Sequence, residues 1–358
     1  MRRPLGGGGG GGGGPFSSST TRAIVEIATS RRALRLIALF ALLAFLLAFS
    51  LVPSSATTTT VPEVTSAGGS DGTSASPPCK RRAPRVVSHR GVDQDDHAGA
   101  AFPSTLGSIQ RLLDEGIGSF DLDLFWPADD HGKDLFVGHP PSLRQRWRLE
   151  DELHATTLAH LERVAKPDGG LLRLADLLQL LARRRGAVGL VSFELKYPAH
   201  AEWQARLRLL YSQVAASGLP AVNVAGVALD VPQARAHRDA QAASLPAHGR
   251  SGLVVVLRVL KDLDAPLGAD GERHADLNAV ARDDGHFDGW SASVRLLDAP
   301  LRTAASTAAK PLAVWTVDDE PSLRRAFSHG PDDVVTNRAR WARRTLERWR
   351  KEECTHSR

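Results

Sequence analysis

The chain predicts a (β/α)8 TIM barrel, and three observations carry that expectation. Short apolar runs alternate with helical patterns over roughly 265 residues, the usual size of that fold. The first run ends in His89-Arg90-Gly91, with no G-x-G-x-x-G phosphate turn, which disfavours a doubly wound open sheet. Ionisable residues recur at the C-terminal ends of the runs, where a barrel gathers its active site.

The sequence of 358 residues divides before the barrel begins. Residues 1–32 hold a glycine run and scattered Ser, Thr and Arg, which cannot bury a core and read as disordered. Residues 33–52 contain the apolar run Leu36 to Val52, about 17 residues and at the short end for a bilayer span. Arg31, Arg32 and Arg35 lie at its N-terminal end and predict a single-pass membrane protein with its folded part on the luminal or extracellular side. A cleaved signal peptide (Ser54, Ser55 and Ala56 follow the run) and an organelle transit peptide are the competing readings, giving a secreted or organellar protein. Residues 53–83 are rich in Ser, Thr, Gly and Pro and read as a linker. The barrel is expected over 84–352.

Its elements follow in order. Arg85 to His89 reads as a strand, and Leu106, Ile109, Leu112 and Leu113 give 103–115 a helical face. Strands follow at 119–125 and 135–138, a helix at 171–184, a strand at 189–196 and a helix at 201–217. Further strands are expected at 222–229, 252–257, 287–293, 311–316 and 332–336. Helices are expected at 231–243, 297–307, 319–328 and 338–351.

Composition excludes some classes. The net charge of +5 is small, and no basic stripe carries interleaved aromatics, so nucleic acid is not an expected partner. Cys79 and Cys354 are the only cysteines, and without a CxxC there is no zinc cage of the usual spacing. They bracket the barrel, and either a disulfide joining its two ends or two unpaired thiols fits.

The stretch Gly118 to His139 carries the chemistry. Residues i and i+2 of a strand share a face, so Asp121 and Asp123 lie side by side, with Phe120, Leu122 and Leu124 on the other face. Two like charges at roughly 4 Å cost about 4 kcal/mol at an effective dielectric near 20, unless something positive sits between them. A bound cation would remove that cost. His89 and His139 close their runs, and Glu194 and Lys196 close theirs, again two apart. Each has an ordinary reading alone: a turn histidine, a solvent-facing acid, a Glu–Lys pair. Together at strand ends they form an acid–base constellation with cationic groups for an anionic substrate. His131, in the loop between the two strands, is a further residue to locate.

In this order, H-R-G, acid-x-acid, a strand ending in His and then E-x-K resemble the glycerophosphodiester phosphodiesterases, within the phospholipase-C-like phosphodiesterase barrels. Ala313 to Asp318 resembles the family's tryptophan-bearing penultimate strand, and Gly330 to Asn337 its closing G-x-D-x-x-x-T-[DN] segment. The likeness spans about Arg85 to Arg350. It implies a metal-dependent phosphodiester hydrolase acting on a glycerophosphodiester or related lipid phosphodiester. Asp121, Asp123 and Glu194 would hold one Mg²⁺ or Ca²⁺, which suits hard oxygen donors. His89 and His139 would be acid and base, in an order left open. Arg90 and Lys196 would bind the phosphate, and Trp315 would wall the pocket. A phospholipase-D-like lyase of the same barrel, leaving a cyclic phosphate, and a tethered pseudoenzyme that binds a phosphate ligand are the rival readings. Three positions depart from the family pattern: Asp121 stands where Glu is usual, Pro140 follows the second histidine where Asp is usual, and P-E-N-T is reduced to Pro103-Ser104-Thr105.

Overall fold

In the computed structural model, residues 83–94, 104–130, 132–197, 200–244, 255–261 and 274–356 are described. The leader, the apolar segment 33–52, nearly all of the linker, Cys79 and His131 lie outside the described residues. The barrel lies within Ser76–Arg358.

Eight strands form the barrel: β1 (Arg85–His89), β2 (Phe120–Phe125), β5 (Val191–Leu195), β6 (Val224–Ala228), β7 (Val255–Leu260), β8 (Gly289–Ser293), β9 (Leu312–Trp315) and β10 (Asp333–Thr336). Each is parallel to its neighbours, and β1 pairs with both β10 and β2, which closes the ring. Two further strands, β3 (Phe136–Val137) and β4 (Leu172–Arg173), extend the sheet from β2 in antiparallel fashion.

The run at 135–138 is therefore not a parallel strand of the alternating series. Only ten residues separate β2 from β3, and a parallel crossover needs about a dozen or more, so the chain turns back on itself. This return still serves the site: the Gly138 amide bonds the Asp123 carbonyl at 2.9 Å and sets His139 beside the end of β2.

The helices are α1 (Leu106–Asp114), α2 (Pro140–Trp147), α3 (Leu158–Ala165), α4 (Leu174–Arg183), α5 (Trp203–Ser217), α6 (Val231–Ser244), α7 (Leu277–Asp283), α8 (Ala299–Thr307), α9 (Glu320–His329) and α10 (Ala339–His356). The expected helices are present with shifted ends, most of them starting later and α10 running five residues further than expected, while α2, α3 and α7 are additional. Helix α2 escapes periodicity because only Pro140 and Leu143 of its eight residues are buried. Pro140, the departure after His139, begins this helix, where a proline fits because its missing N–H would have had no partner.

Strand register fixes what faces inward. Val87, Ala313 and Val335 pack together inside the barrel with Trp315 against them. In-register parallel partners share a face, so His89, Asp121 and Ser192 point inward along one line of pairs. Asp123 and Glu194 form the next inward pair. Phe120, Leu122, Leu124 and Phe193 face outward into the main cluster beneath α1, α4 and α5. Gly226 faces outward on β6, where a Cβ would come within 2.6 Å of the His237 ring and 2.7 Å of the Tyr211 hydroxyl.

Cys354, near the end of α10, is disulfide-bonded. Among the described residues no helix is long and apolar enough to cross a membrane.

Candidate active site

The site lies at the C-terminal end of the barrel, where β1, β2, β5 and β10 end. The chain leaves β1 through two consecutive left-handed residues, Arg90 (φ 63°) and Gly91 (φ 63°). A left-handed non-glycine residue costs roughly 1–3 kcal/mol and persists only when its surroundings hold it. Here the Arg90 amide bonds the Asp121 carbonyl at 2.7 Å, and the Ser104 hydroxyl donates to the Arg90 carbonyl. Gly91 has no such latitude for a side chain, since a Cβ would lie 3.0 Å from Ile109 of α1. The H-R-G sequence is thus a bend that turns Arg90 back over the mouth.

His89 is oriented by the seam of the barrel. Its Nδ1 lies 2.9 Å from Oδ1 of Asn337, which follows β10. The Asn337 amide nitrogen donates to Asp318 Oδ2 at 2.6 Å, so its oxygen is the atom presented to the imidazole. Asp318 is itself held by the Asn337 backbone amide at 2.7 Å and the Thr336 hydroxyl at 3.0 Å. Nδ1 of neutral His89 therefore carries the proton, and Nε2 keeps its lone pair. Burial, then the Arg90 charge, holds the His89 pKa below the ordinary value.

His139 has the opposite polarity. It caps the N-terminus of α2, accepting the Ser142 amide on Nδ1 at 3.3 Å. The Ser142 hydroxyl is 2.8 Å from the same nitrogen, and Arg90 Nη1 donates to that hydroxyl at 3.0 Å. In the neutral ring the proton is on Nε2. Burial, reinforced by Arg90, Lys196 and His89, lowers its pKa to about 4 against the pull of Asp123.

The three acids differ in their surroundings. Asp121 Oδ1 accepts the Ser192 hydroxyl, and burial, with the Asp123 charge adding to it, pushes its pKa up to about 6. Asp123 Oδ1 is 2.8 Å from Lys196 Nζ, and its Oδ2 faces Arg90 Nε at 3.7 Å. Burial would raise Asp123, but Lys196 and the two imidazoles outweigh it and hold the carboxyl below its usual range. Glu194 Oε1 is also 2.8 Å from Lys196 Nζ, and burial leaves its pKa raised despite that ammonium. Burial opposes the charge on Lys196, and the two carboxylates overcome it and raise its pKa.

All three expected metal ligands are at the mouth, yet they do not form a coordination group. Among the described residues no three His, Cys, Asp or Glu side chains are arranged to hold a metal ion. The physical reason is visible in the donors. One oxygen of Asp121 is turned to Ser192, and Asp123 and Glu194 converge on Lys196 instead. The cation expected between Asp121 and Asp123 is not there: the Lys196 ammonium lies between Asp123 and Glu194, and Asp121 meets a hydroxyl, so the metal ligation read from the sequence does not fit this donor set.

Trp315 is at the end of β9, inside the barrel, with its indole N–H donating to the Ser291 carbonyl at 3.1 Å. It packs on Val87, Ala313 and Val335 while remaining partly exposed, which is compatible with a pocket wall. Asn337, Asp318, Ser142 and Ser192 have no assigned role in the sequence reading. The signal for the first two was present, since both lie in the segments that carry the family resemblance.

No family model matches this chain, and no curated protein does. Solved structures do. A glycerophosphoryl diester phosphodiesterase structure from Silicibacter pomeroyi is 20% identical, with a TM-score of 0.58 over 75% of this chain and 94% of that one. A phosphodiesterase from Oleispira antarctica, in complex with the product sn-glycerol-3-phosphate, is 15% identical, with a TM-score of 0.53 over 74% of this chain and 97% of that one. A glycerophosphodiester phosphodiesterase from Parabacteroides distasonis gives 15% and 0.53 over 75% and 98%. The chain has the barrel fold of these glycerophosphodiester phosphodiesterase structures across nearly their full length.

Proposed function

We propose that the chain is a phosphodiester hydrolase acting on a glycerophosphodiester or a related lipid-derived phosphodiester. The observation that carries this reading is a pair of oppositely polarised imidazoles, His89 and His139, at the mouth where Arg90 and Lys196 both face Asp123. In this reading Arg90 and Lys196 bind the phosphate oxygens, and their charges offset that developing at phosphorus.

His89 acts as the base. Its Nε2 lone pair takes a proton from the attacking water as the water oxygen bonds phosphorus. His139 acts as the acid. As an imidazolium it donates Nδ1–H to the Ser142 hydroxyl and gives its Nε2 proton to the departing alkoxide as the P–O bond breaks. The bound phosphate anion favours that charged form by opposing the Arg90 and Lys196 charges that depress it. Asn337, oriented by Asp318, keeps His89 in the basic tautomer. Trp315 walls the pocket. No step uses a metal.

We place the barrel on the luminal or extracellular side of a membrane, tethered through 33–52. The disulfide at Cys354 supports an oxidising compartment, and the charge flank of the apolar run supports the orientation.

The test is turnover of a panel of glycerophosphodiesters and lysophospholipids by the full chain, with products read by phosphorus NMR. A phosphomonoester product supports the hydrolase, and a cyclic phosphate would replace it with a lyase. Binding without turnover would leave a pseudoenzyme.

A further inference from the structure

We propose that this barrel cleaves its phosphodiester without a divalent cation, with the Lys196 ammonium in the place a metal would take between Asp123 and Glu194. The inference rests on the phosphodiesterase reading above and specifies what supplies positive charge there.

The geometry starts from the acids. Asp123 and Glu194 are in-register neighbours on β2 and β5, and one oxygen of each turns to the same nitrogen at 2.8 Å. A Mg²⁺ or Ca²⁺ needs several oxygens turned to one point at about 2.0–2.6 Å. That point is occupied by an ammonium tethered two residues beyond Glu194, just past the end of β5. The second Asp123 oxygen is buried without a hydrogen bond and faces Arg90 Nε at 3.7 Å. Both Asp123 oxygens therefore face cationic side chains.

The third acid does not restore a metal seat. Asp121 is one methylene shorter than a glutamate and lies beside Asp123 on the same inward face of β2, but its Oδ1 is held by the Ser192 hydroxyl from β5. Three carboxylates face the two cationic side chains Arg90 and Lys196 here. An ammonium has three N–H donors, of which two go to Asp123 and Glu194. The third is left for a phosphate oxygen, so Lys196 both holds the acids together and offers a donor to the substrate.

The experiment uses the full chain and two readouts. Turnover of bis(p-nitrophenyl) phosphate and of a glycerophosphodiester is measured in excess EDTA and again with added Mg²⁺, Ca²⁺ or Mn²⁺. Calorimetry follows titration of each metal alone into the protein. The expected result is equal turnover in EDTA and in metal, with no saturable heat for any metal. Lys196→Met should lose about a hundredfold or more in kcat, and it should gain saturable Mg²⁺ or Ca²⁺ binding, because two carboxylates are left facing an empty point. Activity that appears only with metal, or wild-type metal binding abolished by Glu194→Gln, overturns the inference while leaving the phosphodiesterase reading intact. Absence of turnover under every condition removes that reading, and this inference with it.

Discussion

Oδ1 of Asn337 lies 2.9 Å from Nδ1 of His89, across the seam where the last barrel strand meets the first. These residues are 248 positions apart in sequence, and the register Val87↔Val335 and Ser88↔Thr336 brings them together. Asn337 orients the imidazole and touches no reacting atom in the proposed mechanism, which makes it a positioning residue. Replacing it with alanine frees the ring to adopt the other tautomer. Asn337→Ala should lower kcat by about 10–100-fold with KM little changed. Steady-state kinetics and circular dichroism check this, and a change in KM alone would count against it.

Asp121 carries a cost in the folded state. Its pKa of about 6 exceeds the ordinary 3.8, so the folded protein takes up this proton before the unfolded chain does. Its contribution to stability is fully present below the unfolded value and is lost as pH rises through about 6. Asp121→Asn keeps an oxygen for the Ser192 hydroxyl and removes the buried charge beside Asp123. Near neutral pH it should stabilise the fold by about 1–2 kcal/mol, visible as a Tm several degrees higher. The gain should vanish near pH 4, within the window set by the two values. A lower Tm at neutral pH would show that the charge is needed to hold the site together.

His139 runs the other way. Its folded pKa of about 4 is below the ordinary 6.5, so the unfolded chain takes up this proton first as pH falls. Its stabilisation is complete above 6.5 and is lost progressively toward 4. For activity, kcat/KM reports the free enzyme, in which both histidines are depressed. The kcat/KM optimum should therefore fall below pH 6.5, and the kcat optimum should lie higher because bound phosphate favours the imidazolium. A pH–rate series gives both, and a kcat/KM that rises through neutral pH would contradict the assignment.

Much of this was legible in the sequence. All eight barrel strands stand out as short apolar runs, and the ionisable residues at their ends gather as expected. The return strand β3 was read as another strand of the series, because two residues, Phe136 and Val137, carry no periodicity to distinguish direction. Of the two acids expected to share a cation, Asp123 meets Lys196 and Asp121 meets the Ser192 hydroxyl. Sequence spacing could not show that Lys196 reaches both Asp123 and Glu194, because that depends on the register of β2 against β5. Ser192 was invisible for the same reason, its partner lying 71 residues away, and Ser142, three residues from His139, because a helix start at Pro140 was not expected and serine alone announces nothing.

The central claim is that two imidazoles on opposite polar settings cleave a phosphodiester between them. Its most direct test is turnover by the His89→Ala and His139→Ala variants, each verified as folded, on a glycerophosphodiester and on bis(p-nitrophenyl) phosphate. Both should lose at least about 10²–10⁴-fold with the natural alkoxide leaving group. With the nitrophenolate, which departs without a proton, His139→Ala should retain much more activity than His89→Ala. Full turnover of the glycerophosphodiester by either variant would contradict the account.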